Sequence, residues 1–336
     1  YTNLIARRQR QMCIRDRFMS LDWLALPRVF ALLLLWFLGP RIIIDETVQS
    51  VQLPKDLNHY LNQSESRFSN IREGLNKEIL WANAEETQTE YSIVYLHGFS
   101  ASRQEISPVM EKVADALEAN LFFTRLSGHG QTTEALSEST PNEWLQDATE
   151  ALEIRKRLGE KVILVGTSTG ASLALWLALK HKRENIHALL LLSPNLGLRA
   201  PLNVLALGHW GKTLATLVAG KSVEFKTLNE KHQHAWTNRY SSKVLILMVN
   251  MVRQICSYDF GQIKVPAFFI YSPYDSVVHT RKIERFFKQL GSSQKKLLAI
   301  LDSESESQHV ITGDIISPST NERVIRQMLQ FLRPLS

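Results

Sequence analysis

Lys161-Val-Ile-Leu-Val-Gly166-Thr167-Ser168-Thr169-Gly170-Ala171-Ser-Leu-Ala-Leu-Trp-Leu-Ala-Leu-Lys180 is the stretch that decides how this chain folds. Its opening run, Lys161–Val165, is aliphatic and β-branched, which suits a strand buried on both faces. Its closing run, Ala171–Lys180, is rich in Ala and Leu, the strongest helix formers. Between them lies a G-x-S-x-G pentapeptide, Gly166–Gly170. A strand that becomes a helix within so few residues needs small neighbours at the turn. It holds the central serine in a strained conformation and lifts its hydroxyl off the carboxyl edge of the sheet. The helix opening at Thr169 directs free N–H groups and a positive dipole end to the same point.

Outward from this unit the chain alternates. Buried-strand runs are read at Ser92–Leu96, Leu121–Thr124, Ala188–Leu192, Ala267–Tyr271 and Lys296–Leu301. Helical periodicity is read at Pro108–Ala119, Glu143–Leu158, Thr169–His181, Thr280–Leu290 and Asn321–Leu332. Alternation of this kind predicts a mostly parallel sheet covered by helices on both faces. It is interrupted once. Residues 196–263 contain no clean strand and read as helices, among them Val204–Ala219 and Val244–Cys256. A structureless loop of that length is implausible in a compact domain, so the expectation is a helical cap inserted between core segments 79–195 and 264–336.

A serine hydroxyl is a poor nucleophile until a base takes its proton, and the base needs a carboxylate to fix its tautomer. The chain order for this elbow is Ser, then acid, then His. Asp275 follows the run Ala267–Tyr271, and His309 follows the run Lys296–Leu301. Both therefore sit past strand ends, where loops converge in an open α/β sheet. The rival acids, Asp259 and Asp302, lack that placement. Catalysis of acyl transfer also needs donors for a developing oxyanion. The backbone N–H of Phe99, in His97-Gly98-Phe99 after the strand at Ser92–Leu96, and that of Thr169 are the candidates. His97 and His129 read as loop-bracing residues.

The chain carries a net charge of +6 over 336 residues. Arg7, Arg8, Arg10, Arg15 and Arg17, against Asp16, place most of that excess in residues 1–17. The body is nearly neutral, so no nucleic-acid partner is expected. Residues 1–18 are read as a non-native or disordered tail, because Gln11–Arg17 resembles translated sequencing-adapter DNA. His232 and His234 have no ligand-spaced companions, and no phosphate loop or dinucleotide fingerprint occurs. No metal or cofactor is expected. Cys256 reads as a core residue rather than a reactive one.

Residues 19–44 hold an apolar run, Val29–Leu38, flanked by Arg28 and Arg41. The run is shorter than the roughly 20 residues of a membrane span, but extended through Ile44, with the arginines snorkelling, it reads as a membrane anchor. The expectation is thus a protein tethered at the bacterial inner membrane, with residues 45–78 as a polar connector.

Taken in order, the His97-Gly98-Phe99 segment, the Arg125-Leu-Ser-Gly-His-Gly130 loop, the Gly166–Gly170 elbow, the Pro273-Tyr-Asp-Ser-Val-Val278 loop and the Ser307-Gln-His-Val310 segment resemble the α/β-hydrolase superfamily. Within it, the chain is similar to bacterial carboxylesterases and monoacylglycerol lipases over residues 91–332. Ala171 stands where relatives often carry a further glycine. The resemblance implies an α/β-hydrolase fold and ester hydrolysis through an acyl-enzyme on Ser168. The implied substrate is a short- to medium-chain acyl ester, a monoglyceride or a lysophospholipid. The same triad would also serve a thioesterase, an amidase or a C–C hydrolase. A non-catalytic, membrane-tethered binding protein is the alternative outside catalysis.

Overall fold

A computed structural model describes residues 25–39, 42–182, 184–199 and 221–335. The helix expected at Val204–Ala219 and the tail 1–18 lie outside these residues. The strands are β1 (Glu78–Leu80), β2 (Thr89–Leu96), β3 (Asn120–Phe123), β4 (Gly159–Thr167), β5 (Ile186–Leu192), β6 (Ser222–Glu224), β7 (Arg239–Ser241), β8 (Ala267–Tyr271) and β9 (Lys295–Ala299). Seven of them form one sheet in the order β1-β3-β2-β4-β5-β8-β9. All its pairings are parallel except that of β1 with β3. The expected strand runs all fall in this sheet. The edge strand β1 was not anticipated, because only Ile79 of its three residues is buried and alternation is invisible at that length.

The helices are α1 (Ala25–Leu38), α2 (Leu57–Glu65), α3 (Val109–Ala116), α4 (Thr133–Glu138), α5 (Pro141–Leu158), α6 (Thr169–Lys180), α7 (Glu230–Ala235), α8 (Ser242–Ile255), α9 (Thr280–Gln289) and α10 (Asn321–Leu332). One core cluster packs α5, α6 and α8 on one side of the sheet, around Trp144, Trp176, Leu164 and Leu191. A second packs α3 and α10 on the other, around Tyr95, Val165, Phe268 and Met328. The strand residues alternate between the two clusters, which is why the central runs read as continuously apolar. A capping box, Thr140 with Glu143, and Pro141 in the first turn start α5, and such boxes satisfy otherwise orphaned N–H groups.

Between β5 and β8, the described residues hold α7, α8 and a two-stranded antiparallel ladder, β6 with β7. The interval is therefore not purely helical. Strands of three residues give no readable alternation.

The membrane anchor is overturned. Among the described residues, no helix is long and apolar enough to cross a membrane. The apolar run forms α1, of 14 residues, which spans about 21 Å at 1.5 Å per residue, short of the roughly 30 Å hydrocarbon core. The run does not extend through Ile44 as one span: residues 42–50 lie outside any helix, and Ile44 is buried in the core. Its backbone N–H donates to Gln254 Oε1 at 3.0 Å, and Gln254 Nε2 donates back to the Ile44 carbonyl at 2.9 Å. The localisation at the bacterial inner membrane falls with the anchor that carried it.

Residues 45–78 prove to be more than a polar connector. Leu57, Leu61 and Leu75 are buried. Arg125 from the loop after β3 grips Glu65 with two hydrogen bonds, of 2.7 and 2.8 Å.

Candidate active site

Ser168 sits at the junction of β4 and α6 with φ 53° and ψ −114°. A positive φ in a residue with a Cβ costs on the order of 1–3 kcal/mol, and the surroundings fix it. The Ser168 N–H donates to the Leu192 carbonyl at 2.9 Å, and its carbonyl accepts from Ala171 and Asn195 at 3.1 and 3.0 Å. Gly170 permits the turn for a separate reason. A Cβ there would lie 1.9 Å from the Leu96 carbonyl oxygen, so only glycine lets α6 approach β2.

The structure brings Ser168, His309 and Asp275 into one hydrogen-bonded relay. His309 Nε2 lies 3.0 Å from Ser168 Oγ, and His309 Nδ1 lies 2.7 Å from Asp275 Oδ2. Asp275 is fully buried. Its Oδ1 accepts the N–H groups of Val277 and Val278 at 2.8 and 3.0 Å, leaving Oδ2 for the imidazole. His309 is held from behind by hydroxyls: Ser193 Oγ donates to its carbonyl at 2.7 Å, and Ser303 and Ser317 bond the next carbonyl, that of Val310. Neither rival acid reaches the relay. Asp259 caps a turn through the Gly261 N–H, and Asp302 pairs with Arg323 at the surface.

Phe99 and Thr169 both line the cavity that opens on Ser168. Among the described residues, neither backbone N–H donates to an acceptor. The loop before them is tightly braced. His97 Nδ1 lies 2.9 Å from the Gly98 carbonyl, and His97 Nε2 accepts the Leu126 N–H at 3.0 Å. Burial pushes the His97 imidazole down to about 4, so the ring is neutral and carries its proton on Nδ1. His129, also buried, directs Nδ1 to the Ser127 carbonyl, and its ring lies tilted against that of His97 with centroids 4.9 Å apart.

The cavity has a volume of about 620 Å³. Its wall is formed largely by Phe99, Phe225, Trp236, Tyr240, Leu245 and Met248. The Phe99 ring meets the Tyr240 ring edge-on at 5.0 Å, joining the loop after β2 to β7.

A profile for the family described as serine aminopeptidase, S33, matches residues 87–303, nearly two thirds of the chain. The chain belongs to this S33 family of hydrolases. A thermostable monoacylglycerol lipase of Bacillus sp. (strain H-257) is 24% identical over 238 residues, which cover 69% of this chain and 87% of that one. A proline iminopeptidase of Clostridioides difficile (strain 630) is 27% identical over a shorter span, 32% of this chain and 37% of that one. Among solved structures, one described under two metagenome-derived lipolytic enzymes, LipS and LipT, superposes with a TM-score of 0.62 at 20% identity, covering 79% of this chain and 99% of that one. A soluble variant of monoglyceride lipase from Saccharomyces cerevisiae superposes with a TM-score of 0.60 at 15% identity, covering 78% and 91%. The α/β-hydrolase fold and the serine hydrolase class read from the motifs therefore both hold for this S33 family member.

Two residues around the site escape a reading of motifs. Arg199 donates from Nη1 to the Asp275 carbonyl at 2.8 Å. Asn195 binds the Ser168 carbonyl through its N–H and the Thr169 hydroxyl through Nδ2. The signal for Asn195 was its place, as a polar residue just past β5 at the same sheet edge as Ser168.

Proposed function

We propose that this chain hydrolyses carboxylic esters through an acyl-enzyme on Ser168. His309 takes the Ser168 proton as Oγ attacks the acyl carbonyl, and Asp275 holds the imidazole in the tautomer that leaves Nε2 free to accept it. The Phe99 and Thr169 N–H groups stabilise the oxyanion of the tetrahedral intermediate. His309 then protonates the departing alcohol, and water, activated by the same imidazole, releases the acid. The observation that carries the reading is the Ser168–His309–Asp275 relay opening on a cavity with aromatic and aliphatic walls.

The substrate class follows from those walls. A predominantly apolar cavity favours burial of an acyl chain. The proposed substrates are short- to medium-chain acyl esters, monoglycerides or lysophospholipid-like esters. The likeness to a monoacylglycerol lipase supports this choice. An aminopeptidase must hold a substrate ammonium, which calls for a desolvated carboxylate. Among the described lining residues the only acidic side chain is Glu306, and it is solvent-exposed. That favours an ester over a peptide substrate.

The test is hydrolysis of p-nitrophenyl acetate, butyrate, octanoate and palmitate by the full chain, beside alanine p-nitroanilide and a Ser168→Ala control. Ester turnover that disappears in the control is expected, with an optimum at butyrate or octanoate. Turnover of the anilide alone would reject the ester reading.

A further inference from the structure

Glu105 stands outside the relay yet is buried beside it, with only 4% of its surface exposed. It lies on a short 3-10 turn, Arg103–Glu105, that follows the Phe99 loop. Its Oε1 accepts the Gly98 N–H at 2.5 Å and the Tyr95 hydroxyl at 2.8 Å. The Tyr95 oxygen is also 2.8 Å from Thr167 Oγ1. The phenol has one proton, so Thr167 donates to Tyr95 when Tyr95 donates to an ionised Glu105. A Cβ at position 98 would meet Glu105 Oε2 at 3.0 Å and Ser168 Cβ at 3.5 Å. The carboxylate and the nucleophile thus flank Gly98 and leave little room for a side chain there.

A carboxylate is a costly group to bury, and a hydroxyl or a carbonyl would satisfy one backbone N–H at lower cost. What a carboxylate adds is a stronger, charge-assisted bond and a negative charge. We infer that Glu105 is the positioning residue of the oxyanion loop, holding the His97–Gly98 peptide through the Gly98 N–H so that the next N–H, that of Phe99, faces the substrate carbonyl. This rests on the ester-hydrolase reading of Ser168. The two successive peptides are clamped from different sides. Glu105 holds the first, while the His97 ring and the Ala101 N–H both bond the Gly98 carbonyl of the second. In a trans peptide the carbonyl and the following N–H point in opposite directions. Fixing the Gly98 oxygen therefore fixes the Phe99 N–H.

The titratable groups facing Glu105 are Tyr95 from β2 and His309 from the loop after β9. Arg103, on its own turn, is engaged instead with Glu78 and the Gly74 carbonyl. His97 is neutral. Burial pushes the Glu105 carboxyl up to about 7, against the pull of Gly98, Tyr95 and His309.

The experiment is a pH profile, roughly pH 5.5 to 9, of p-nitrophenyl butyrate hydrolysis by the full chain. The wild type is compared with Ser168→Ala, Glu105→Ala and Glu105→Gln. Glu105→Ala is expected to lose about 10²-fold in kcat, the scale of a misplacement near 1 Å, with KM little changed. Glu105→Gln keeps an acceptor for the Gly98 N–H and recovers most of that loss. Its acidic limb changes, because the carboxyl that burial raises to about 7 is replaced by an amide that does not titrate. A folded Glu105→Ala with wild-type kcat overturns the inference alone. If Glu105→Ala does not fold, the limb of Glu105→Gln decides, and an unmoved limb overturns it. A wild type without Ser168-dependent turnover overturns the ester reading and the inference with it.

Discussion

The Asp275 carboxylate divides its two oxygens between backbone and imidazole: Oδ1 takes the N–H groups of Val277 and Val278, and Oδ2 takes His309 Nδ1 at 2.7 Å. Asp275→Asn would keep Oδ1 on its two donors and turn an NH₂ group toward the imidazole. That group needs an acceptor, so His309 Nδ1 loses its proton and Nε2 gains one. A protonated Nε2 cannot take the Ser168 proton. The expected result is a drop in kcat of about 10⁴-fold, with the melting temperature close to wild type. Esterase assays and a thermal melt on the same preparation check it. A fall of less than about tenfold would mean that the tautomer of His309 does not depend on Asp275.

The wall of the cavity should set the acyl length. Leu245, on α8, lines it beside Met248 and Tyr240. Leu245→Trp adds bulk to the wall and should shorten the space left for the acyl chain. Each methylene excluded from an apolar pocket costs about 1–3 kcal/mol, or roughly 10–200-fold in kcat/KM. Octanoate should therefore fall by at least about tenfold while acetate stays near wild type. Equal losses for both would show that Leu245 supports the site without contacting the chain.

How legible was this site? Ser168, Asp275 and His309 could be read because each lies just past a strand, and a parallel sheet delivers strand ends to one edge. Phe99 and Thr169 came with the same logic. Glu105 could not be read that way. It is one acidic residue on a short turn with no motif around it, and its meaning depends on meeting Gly98 and Tyr95 through space. The N-terminal run failed for a related reason. Hydropathy registered Ile42, Ile43 and Ile44 as a continuation of α1, but Ile44 is claimed by the core and by Gln254, a contact across 210 residues. The strands β1, β6 and β7 are three residues each, too short for a period of two to show.

Buried charge makes its own prediction. Lys77 is almost fully buried; its Nζ pairs with Glu150 and lies 3.8 Å from Asp147 Oδ1. Burial disfavours the ammonium, but Asp147 and Glu150 outweigh it and hold Lys77 above its ordinary value. Its stabilising contribution is therefore present throughout the neutral range and lost only as pH rises past that raised value. Lys77→Met would leave two carboxylates facing each other without a cation. Breaking such a buried pair costs about 3–5 kcal/mol. Protonation of one carboxyl relieves part of this, so the deficit against wild type should be smaller at pH 5 than at pH 8. Denaturant titrations of both proteins at the two pH values measure it. A deficit independent of pH would mean that lost packing, not charge, is the cause.

Glu46 ties the N-terminal segment to two helices at once. Its carboxylate accepts from Trp176 Nε1 at 3.0 Å and Lys180 Nζ at 2.9 Å on α6, from Gln254 Nε2 at 2.6 Å on α8, and from the Tyr258 hydroxyl at 2.7 Å. Burial raises the carboxyl, but Lys180 and the hydrogen-bond donors together bring it below its ordinary value of 4.5. A depressed carboxyl stabilises the fold above its unfolded value, and that stabilisation disappears as pH falls through the folded one. Glu46→Gln keeps the shape and two hydrogen-bonding ends but loses the ion pair with Lys180. Its melting temperature should lie below wild type at pH 7 and converge on it as wild-type Glu46 itself becomes protonated in acid. Proteolysis should report the same event locally. Residues 42–56 are held outside any helix, so loosening the clasp at Glu46 should speed cleavage there before the sheet is attacked. Cleavage at the wild-type rate in Glu46→Gln, with no gap between the melting curves at pH 7, would show that Ile44 and Gln254 hold the segment without Glu46.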